Sequence, residues 1–157
     1  SKEREAMEQS LILLKPDAVQ RQLIGTIISR IEGRGLKIIG LKLIKMSNEL
    51  ASQHYKAHIE KPFYKGLVSF ITSGPLVCIA VEGNNAISLV RNSMGSTNPV
   101  DSDPGTIRGD LAIDIGRNLI HGSDSVDEGT REVNLFFAPN ELITYSLANE
   151  DWITEPQ

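Results

Sequence analysis

The chain has 157 residues, a formal net charge of −4 and only 5% aromatic residues. That length supports one compact domain with a real core. The negative balance excludes a chain-wide attraction for polyanions, so any phosphate site has to be a local cluster of cations. No basic stripe or aromatic–basic interleaving supports nucleic-acid binding.

The single cysteine, Cys78, sits in the apolar run Leu76 to Val81 and reads as a small core residue. One cysteine cannot form an intrachain disulfide. There is no signal-peptide pattern and no apolar run of spanning length. The expected compartment is therefore the cytoplasm, with no membrane association.

In chain order, residues 1–8 are charged without an apolar period and are expected to be a flexible lead-in. Ser10 to Leu14 is a short apolar run that predicts a buried strand, ended at Lys15-Pro16-Asp17 because Pro16 has no N–H for a ladder. Ile24, Ile27, Ile28 and Ile31 recur at helical spacing, with Gly33 and Gly35 as the stop. Leu36 to Met46 alternates apolar and basic residues in its second half and predicts a strand with one wet face. Ser47 or Asn48 can cap a helix from Glu49 to about Ile59, which Lys61-Pro62 breaks.

A further helix is expected over Phe63 to Thr72, a buried strand over Leu76 to Glu82, and a helix from Asn84 or Asn85 to Met94. Residues 95–120 carry repeated glycine, proline and aspartate, and a loop that long within a compact domain is usually functional. Val133 to Phe137 is expected to be the last core strand, and 139–157 a C-terminal tail holding a short helix and Trp152. The whole of 1–157 reads as one α+β domain. Its pattern, βαββαβ, is that of a ferredoxin-like sandwich, with helices on one face of an antiparallel sheet.

The chemistry concentrates after residue 100. Pro104-Gly105-Thr106-Ile107-Arg108-Gly109-Asp110 sets an arginine among turn residues. Asn118-Leu119-Ile120-His121-Gly122-Ser123-Asp124-Ser125 then sets a histidine before a glycine, a hydroxyl and a carboxylate, in a segment without helical or strand period. Neutral imidazole is a nucleophile near physiological pH, and an acceptor on its second nitrogen fixes the tautomer. A nucleophile beside a phosphate-binding cation points to phosphoryl transfer through a phosphohistidine on His121. There is no GxxxxGK[ST] loop, and no protein-kinase glycine loop or DFG triplet. No carboxylate cage suggests a stand-alone metal site. His54 and His58 stand at i and i+4 on a predicted helix, a spacing that could bind zinc. With no HExxH pattern and no evident third ligand, His54 reads as structural and His58 as a surface residue.

These segments, together with Leu14-Lys15-Pro16-Asp17, His54-Tyr55, Pro62-Phe63 and Ser73-Gly74-Pro75, resemble nucleoside diphosphate kinases over residues 10–150. Ala18, where relatives commonly have glycine, is a small departure. The resemblance implies a ferredoxin-like fold, a homohexamer, and Mg²⁺-dependent, ping-pong exchange of the γ-phosphoryl group between nucleotides. It implies that His121 carries the phosphoryl group on Nδ1, that Glu132 orients the ring through its other nitrogen, and that Ser123 lies nearby. It places Lys15, Tyr55, Arg91, Thr97, Arg108 and Asn118 on phosphate- and sugar-binding positions. Phe63 falls on the aromatic that stacks on the base, with Leu67 and Ile115 beside it. The alternative is a non-catalytic, nucleotide-binding regulatory module, against which the retained His121 and its cations stand.

Overall fold

The computed structural model describes residues 7–156. Of the expected lead-in, residues 1–6 lie outside the described residues, while Glu8 already belongs to the first strand, β1 (Glu8–Leu14). Pro16 ends β1 as expected and at once opens a short helix, α1 (Pro16–Gln20), because its fixed φ suits the first helical position. Then follow α2 (Ile24–Gly33), β2 (Lys37–Lys45) and α3 (Asn48–His54). The Ser47 hydroxyl caps α3 by accepting from Leu50 N at 3.0 Å. This helix is shorter than expected, since the chain tightens into a 3₁₀ turn at Lys56–His58. Next come α4 (Tyr64–Ile71), β3 (Pro75–Gly83) and α5 (Ala86–Met94).

The end of the chain departs from expectation. The long loop contains a 3₁₀ turn at Pro99–Asp101 and a helix, α6 (Ile107–Leu111). The fourth strand, β4, is the three-residue Ile120–Gly122 around His121. Val133 to Phe137 is not a strand. Val126–Phe136 forms helix α7, whose buried residues Gly129, Glu132, Val133 and Phe136 follow an i, i+3, i+4, i+7 stripe. Two of those four positions are a glycine and a glutamate, so the stripe does not show as hydrophobicity. The signal that announces α7 is its start: the Ser125 hydroxyl accepts from Glu128 N at 3.1 Å, in an S-x-x-E sequence.

The sheet order is β2-β3-β1-β4, with every neighbouring pair antiparallel. This is the ferredoxin-like α+β fold. Helices cover both faces of the sheet rather than one. Ile12, Leu14, Val77, Ile79 and Val81 pack on one face with Ile27 and Ile31 of α2, Ala86, Val90 and Met94 of α5, and Ile107 of α6. Leu11, Leu13, Leu76, Cys78 and Ala80 pack on the other with Ala51 of α3, Ile71 of α4, and Val133 and Phe136 of α7. Covered twice, the central strands β1 and β3 have to be apolar at consecutive positions. Edge strand β2 alternates and leaves Leu41 and Leu43 exposed.

Beyond α7 the tail runs along β2. Ile143 N donates to Ile39 O at 2.8 Å, and the Tyr145 hydroxyl donates to Ile38 O. The tail holds two 3₁₀ turns in place of the expected helix, and Trp152 is 91% exposed. Among the described residues, no helix is long and apolar enough to cross a membrane.

Gly129 lets α7 lie against β1, since a Cβ there would sit 2.0 Å from Gln9 O. In Gly129→Ala the alanine gains about 1 kcal/mol of helix propensity. Forcing backbone apart in a packed core costs about 1–3 kcal/mol, and the obstacle is a main-chain oxygen that cannot rotate away. We expect a net loss of stability, seen as a lower denaturant midpoint. A midpoint equal to or above that of the parent would show that α7 has room to move.

Candidate active site

His121 lies opposite Leu13 in the β1–β4 register, and paired residues share a face of the sheet. Leu13 faces α3 and α7, so the imidazole points toward those helices. Gly122 on the opposite face allows α5 to approach, since a Cβ there would meet Met94 Sδ at 2.5 Å and Val90 Cγ1 at 2.8 Å. The short strand is thus held between a helix that needs its glycine and helices that meet its histidine.

Glu132 of α7 is the hub. Its Oε1 lies 3.0 Å from His121 Nε2 and accepts from the Ser123 hydroxyl at 2.6 Å. Ser123 Oγ in turn accepts from Leu11 N at 2.9 Å, which anchors the group to β1. Burial pushes the Glu132 carboxyl up. The hydrogen bonds from His121 and Ser123, with the charge at His121, outweigh it and leave the pKa below the usual value. Glu132 is therefore ionised and acceptor-only, so His121 Nε2 carries the proton. The other ring nitrogen, Nδ1, then holds the lone pair, in a ring that lines the neighbouring cleft.

That cleft is about 550 Å³ and brings together Lys15, Tyr55, Arg91, Thr97, Arg108, Asn118, His121 and Glu132. Ser123 lies beneath it, fully buried. Lys15 follows β1, and its Nζ donates to Asn118 Oδ1 at 2.8 Å. Asn118 Nδ2 donates to Thr97 O at 2.9 Å, so this amide links the lysine to the 95–105 segment. Burial, and then the charge of Arg108, lower the Lys15 pKa to about 8, against the opposing pull of Asp17.

Arg108 is buried and holds the backbone. Its Nε donates to Asn118 O (3.1 Å), Nη1 to Gly95 O (3.2 Å) and Nη2 to Ile120 O (2.6 Å). Three of its five N–H groups are thereby used, which leaves two for a phosphate. Burial and then Arg91 lower its pKa to about 10, so it stays charged. Arg91 and Thr97 are exposed at the cleft wall. Burial, and then Glu132, raise the Tyr55 pKa to about 12, which keeps that phenol neutral.

Phe63, Leu67 and Ile115 do not line this cleft. Phe63 is 52% exposed, its ring 5.5 Å from that of His58, which does line it. Residues 63, 67 and 70 share one face at the start of and along α4. Arg117 stacks on Phe70 at 4.3 Å and pins the loop bearing Ile115 near that face. Phe63 thus meets the cleft at His58, with Leu67 on its own face of α4 and the Ile115 loop held to Phe70.

Sequence reasoning missed two parts. His54, read as structural, is buried edge-on to His121 with centroids 4.9 Å apart, and its Nδ1 is 3.7 Å from Glu132 Oε2. Burial and then His121 lower its pKa to about 3. His58, read as a surface residue, is half-buried with its Nδ1 enclosed. The only signal for either was the short spacing to Tyr55 and Phe63.

A family model described as nucleoside diphosphate kinase matches residues 8–142. The chain is similar to a nucleoside diphosphate kinase of Herpetosiphon aurantiacus, 59% identical over 95% of this chain and 100% of that protein. It is similar to one of Staphylococcus carnosus, 52% identical over 95% and 99% of the two chains. Among solved structures it is similar to a halophilic nucleoside diphosphate kinase from Halobacterium salinarum in complex with CDP. That match has a TM-score of 0.91 and 49% identity, over 94% of this chain and 99% of that one.

The lowered pKa of Lys15 has a directional consequence. The ammonium is charged below about pH 8 and loses its proton as pH rises through that value. Affinity for a nucleoside triphosphate is expected to fall over the same range. In Asp17→Asn the fall should begin at lower pH, because the carboxylate that holds the lysine pKa up is gone. Calorimetric titration on either side of pH 8 measures both. Superimposable profiles would separate Lys15 from phosphate binding.

Proposed function

The chain belongs to the nucleoside diphosphate kinase family, an enzyme class that moves a phosphoryl group between nucleotides, and on that premise we propose that His121 Nδ1 is the covalent carrier. The observation that carries this reading is the hydrogen bond from His121 Nε2 to ionised Glu132. It fixes the tautomer and leaves the Nδ1 lone pair for attack.

In the first half-reaction the Nδ1 lone pair attacks the γ-phosphorus of a triphosphate in line. The bond from that phosphorus to the β–γ bridging oxygen breaks, and the diphosphate leaves. In the second, a different diphosphate takes the phosphoryl group by the reverse path. Both sides hold the same kind of anhydride, so the overall equilibrium lies near unity. Charge spread over the transferring oxygens is stabilised mainly by positioned cations, a role assigned to Lys15, Arg91 and the two free N–H groups of Arg108. Thr97 and Tyr55 contribute hydroxyls, and Asn118 holds Lys15 in place. Ser123 shares Glu132 with the ring. The base stacks on Phe63, with Leu67 and Ile115 flanking it.

The divalent ion we assign is Mg²⁺. Glu132 Oε1 is committed to His121 and Ser123, and Glu128 is paired with Arg131 at 2.7 Å. Asp124 is left as the exposed carboxylate of the cleft. That donor set fits an ion held by substrate phosphates and water, with Asp124 available to its water shell. When bound, Mg²⁺ supplies charge neutralisation across the phosphates.

We also assign a homohexamer and a cytoplasmic location. The exposed apolar residues Leu41 and Leu43 on the edge strand, Val100 (76% exposed) and Ile113 (89%) in the long loop, and Trp152 in the tail support assembly. The free, buried thiol of Cys78 suits a reducing compartment.

Two tests follow. His121→Ala is expected to lose transfer by a factor on the order of 10⁴–10⁶, as for loss of a covalent nucleophile, while nucleotide still binds. The parent protein should show one acid-labile phosphoryl adduct by mass spectrometry after treatment with triphosphate. Robust transfer by the alanine variant would remove His121 from the mechanism. Light scattering should give the mass of six chains, reduced in Pro99→Ser because the buried Pro99 starts the turn at 99–101. A mass of four chains or one would overturn the hexamer.

A further inference from the structure

The pair His54 and His58 suggests zinc by spacing but lacks a third ligand. The fold supplies a different partnership, in which His58 plays no part. His54, His121 and Glu132 each offer a ligand atom, and these atoms lie within 4.8 Å of one another. Among the described residues, His54 Nδ1 is buried with no hydrogen-bond partner, and the side chain is 2% exposed. Among those residues, Glu132 Oε2, which it faces, has only Arg131 Nη2 at 3.9 Å as a further neighbour with opposite charge. This is an unpartnered nitrogen aimed at an ionised carboxylate, beside a second imidazole.

We propose that His54, His121 and Glu132 form a site for one zinc-class dication, and that its binding switches off the histidine at position 121. The donor chemistry favours this class. Two imidazoles and a carboxylate are the ligand set of zinc sites with three protein ligands and one open position. Mg²⁺ prefers six oxygens and is excluded by the same set. Neutral imidazole is the form a metal requires, and the buried His54 offers an Nδ1 with no competing partner among the described residues. Ser123 donates to Glu132 and would orient that ligand from outside the site.

The donors of a tetrahedral site with bonds near 2.0–2.1 Å lie about 3.4 Å apart. Glu132 Oε1 is already 3.0 Å from His121 Nε2, and Oε2 is 3.7 Å from His54 Nδ1. The remaining closure is a rotation of the His121 ring, which is 25% exposed at the cleft. The charge of Arg131 opposes the ion, but Arg131 keeps its pair with Glu128 when the longer contact is lost.

The switch follows from the tautomer. In the resting ring Nε2 carries the proton and Nδ1 the lone pair. A metal on Nε2 takes the place of the proton there, and that proton moves to Nδ1 with no net proton released. An Nδ1–H cannot attack phosphorus. Zinc would thus stop phosphoryl transfer without occupying the cations that bind the nucleotide. This consequence rests on the phosphohistidine reading above, whereas metal binding itself does not.

The test uses the untagged full chain and Co²⁺ alone as a visible probe. The parent protein is expected to bind one equivalent with an intense tetrahedral band, which Zn²⁺ abolishes and Mg²⁺ does not. His54→Gln should weaken binding by at least about 10-fold and lose the band, and His121→Asn should do the same. His58→Gln should retain it, and circular dichroism shows which variants are folded. Absence of the band in the parent, its survival in folded His54→Gln and His121→Asn, or its loss only in His58→Gln would overturn the site. Zn²⁺ should also lower the phosphoryl adduct on His121 in proportion to occupancy while triphosphate affinity is unchanged. Full adduct formation at saturating Zn²⁺ would overturn the switch. An adduct on another residue, with the band intact, would leave the metal site standing and remove the phosphohistidine reading.

Discussion

One buried carboxylate organises this molecule. Ionised Glu132 is buried, where an unpaired charge costs several kcal/mol. It is tolerated because donors converge on it: Ser123 at 2.6 Å and His121 at 3.0 Å, with Arg131 at 3.9 Å. Hydrogen bonds to a charged group contribute about 1.5–3 kcal/mol each, enough to offset the burial. The relay from Leu11 N through Ser123 Oγ to Glu132 spans β1, the end of β4 and α7. A three-residue strand has few ladder bonds of its own. It is this side-chain relay, as well as pairing with β1, that holds His121 in register.

A second tie sets the opposite wall. Leu119 has φ +72, a conformation that costs a side chain of its size roughly 1–3 kcal/mol. Its N–H donates to Asp17 Oδ2 at 3.0 Å and its carbonyl accepts from Lys15 N at 2.9 Å. Arg108 grips the carbonyls on either side, at Asn118 and Ile120. These bonds over-determine the strained residue and fix Asn118, and with it the Lys15 ammonium, next to the strand that carries His121. Arg108 is therefore as much a frame member as a source of charge. Its loss would take a donor from three backbone carbonyls, of which Asn118 O keeps Ile120 N at 2.8 Å, as well as remove a cation.

How much of this was legible in the sequence follows from how each element hides or shows its period. Edge strand β2 alternates, and α2 repeats isoleucine at helical spacing, because each has one covered side. The central strands are short continuous apolar runs because both faces of the sheet are covered. Helix α7 was misread for the complementary reason: its buried stripe includes Gly129, needed for close approach to Gln9, and Glu132, needed for the ring. A helix that gives its core positions to function loses its hydrophobic signature. The site was legible where side chains follow one another in chain order, at 104–110 and 118–125. His54 was not, because what distinguishes it is a nitrogen without a partner, and that depends on α3 and α7 meeting across β4.

The cleft and the open surface beside it differ in how firmly they are built, and the difference fits exchange between unlike nucleotides. Around His121 the groups are buried and mutually bonded, and each position depends on the next. Toward Phe63 the surroundings are open: the ring is half-exposed, Lys61 lies over it at 5.6 Å, and the facing loop is held by Arg117 on Phe70. On the proposed reading, phosphates meet a rigid, cationic frame, where small displacements cost rate. The base meets a π-face and apolar edges, which any base can use. Tight, specific binding of the base would slow release of each diphosphate, and a covalent carrier needs one product to leave before the next acceptor enters. Placing order at the phosphate end and looseness at the base end lets a single site serve donor and acceptor in turn.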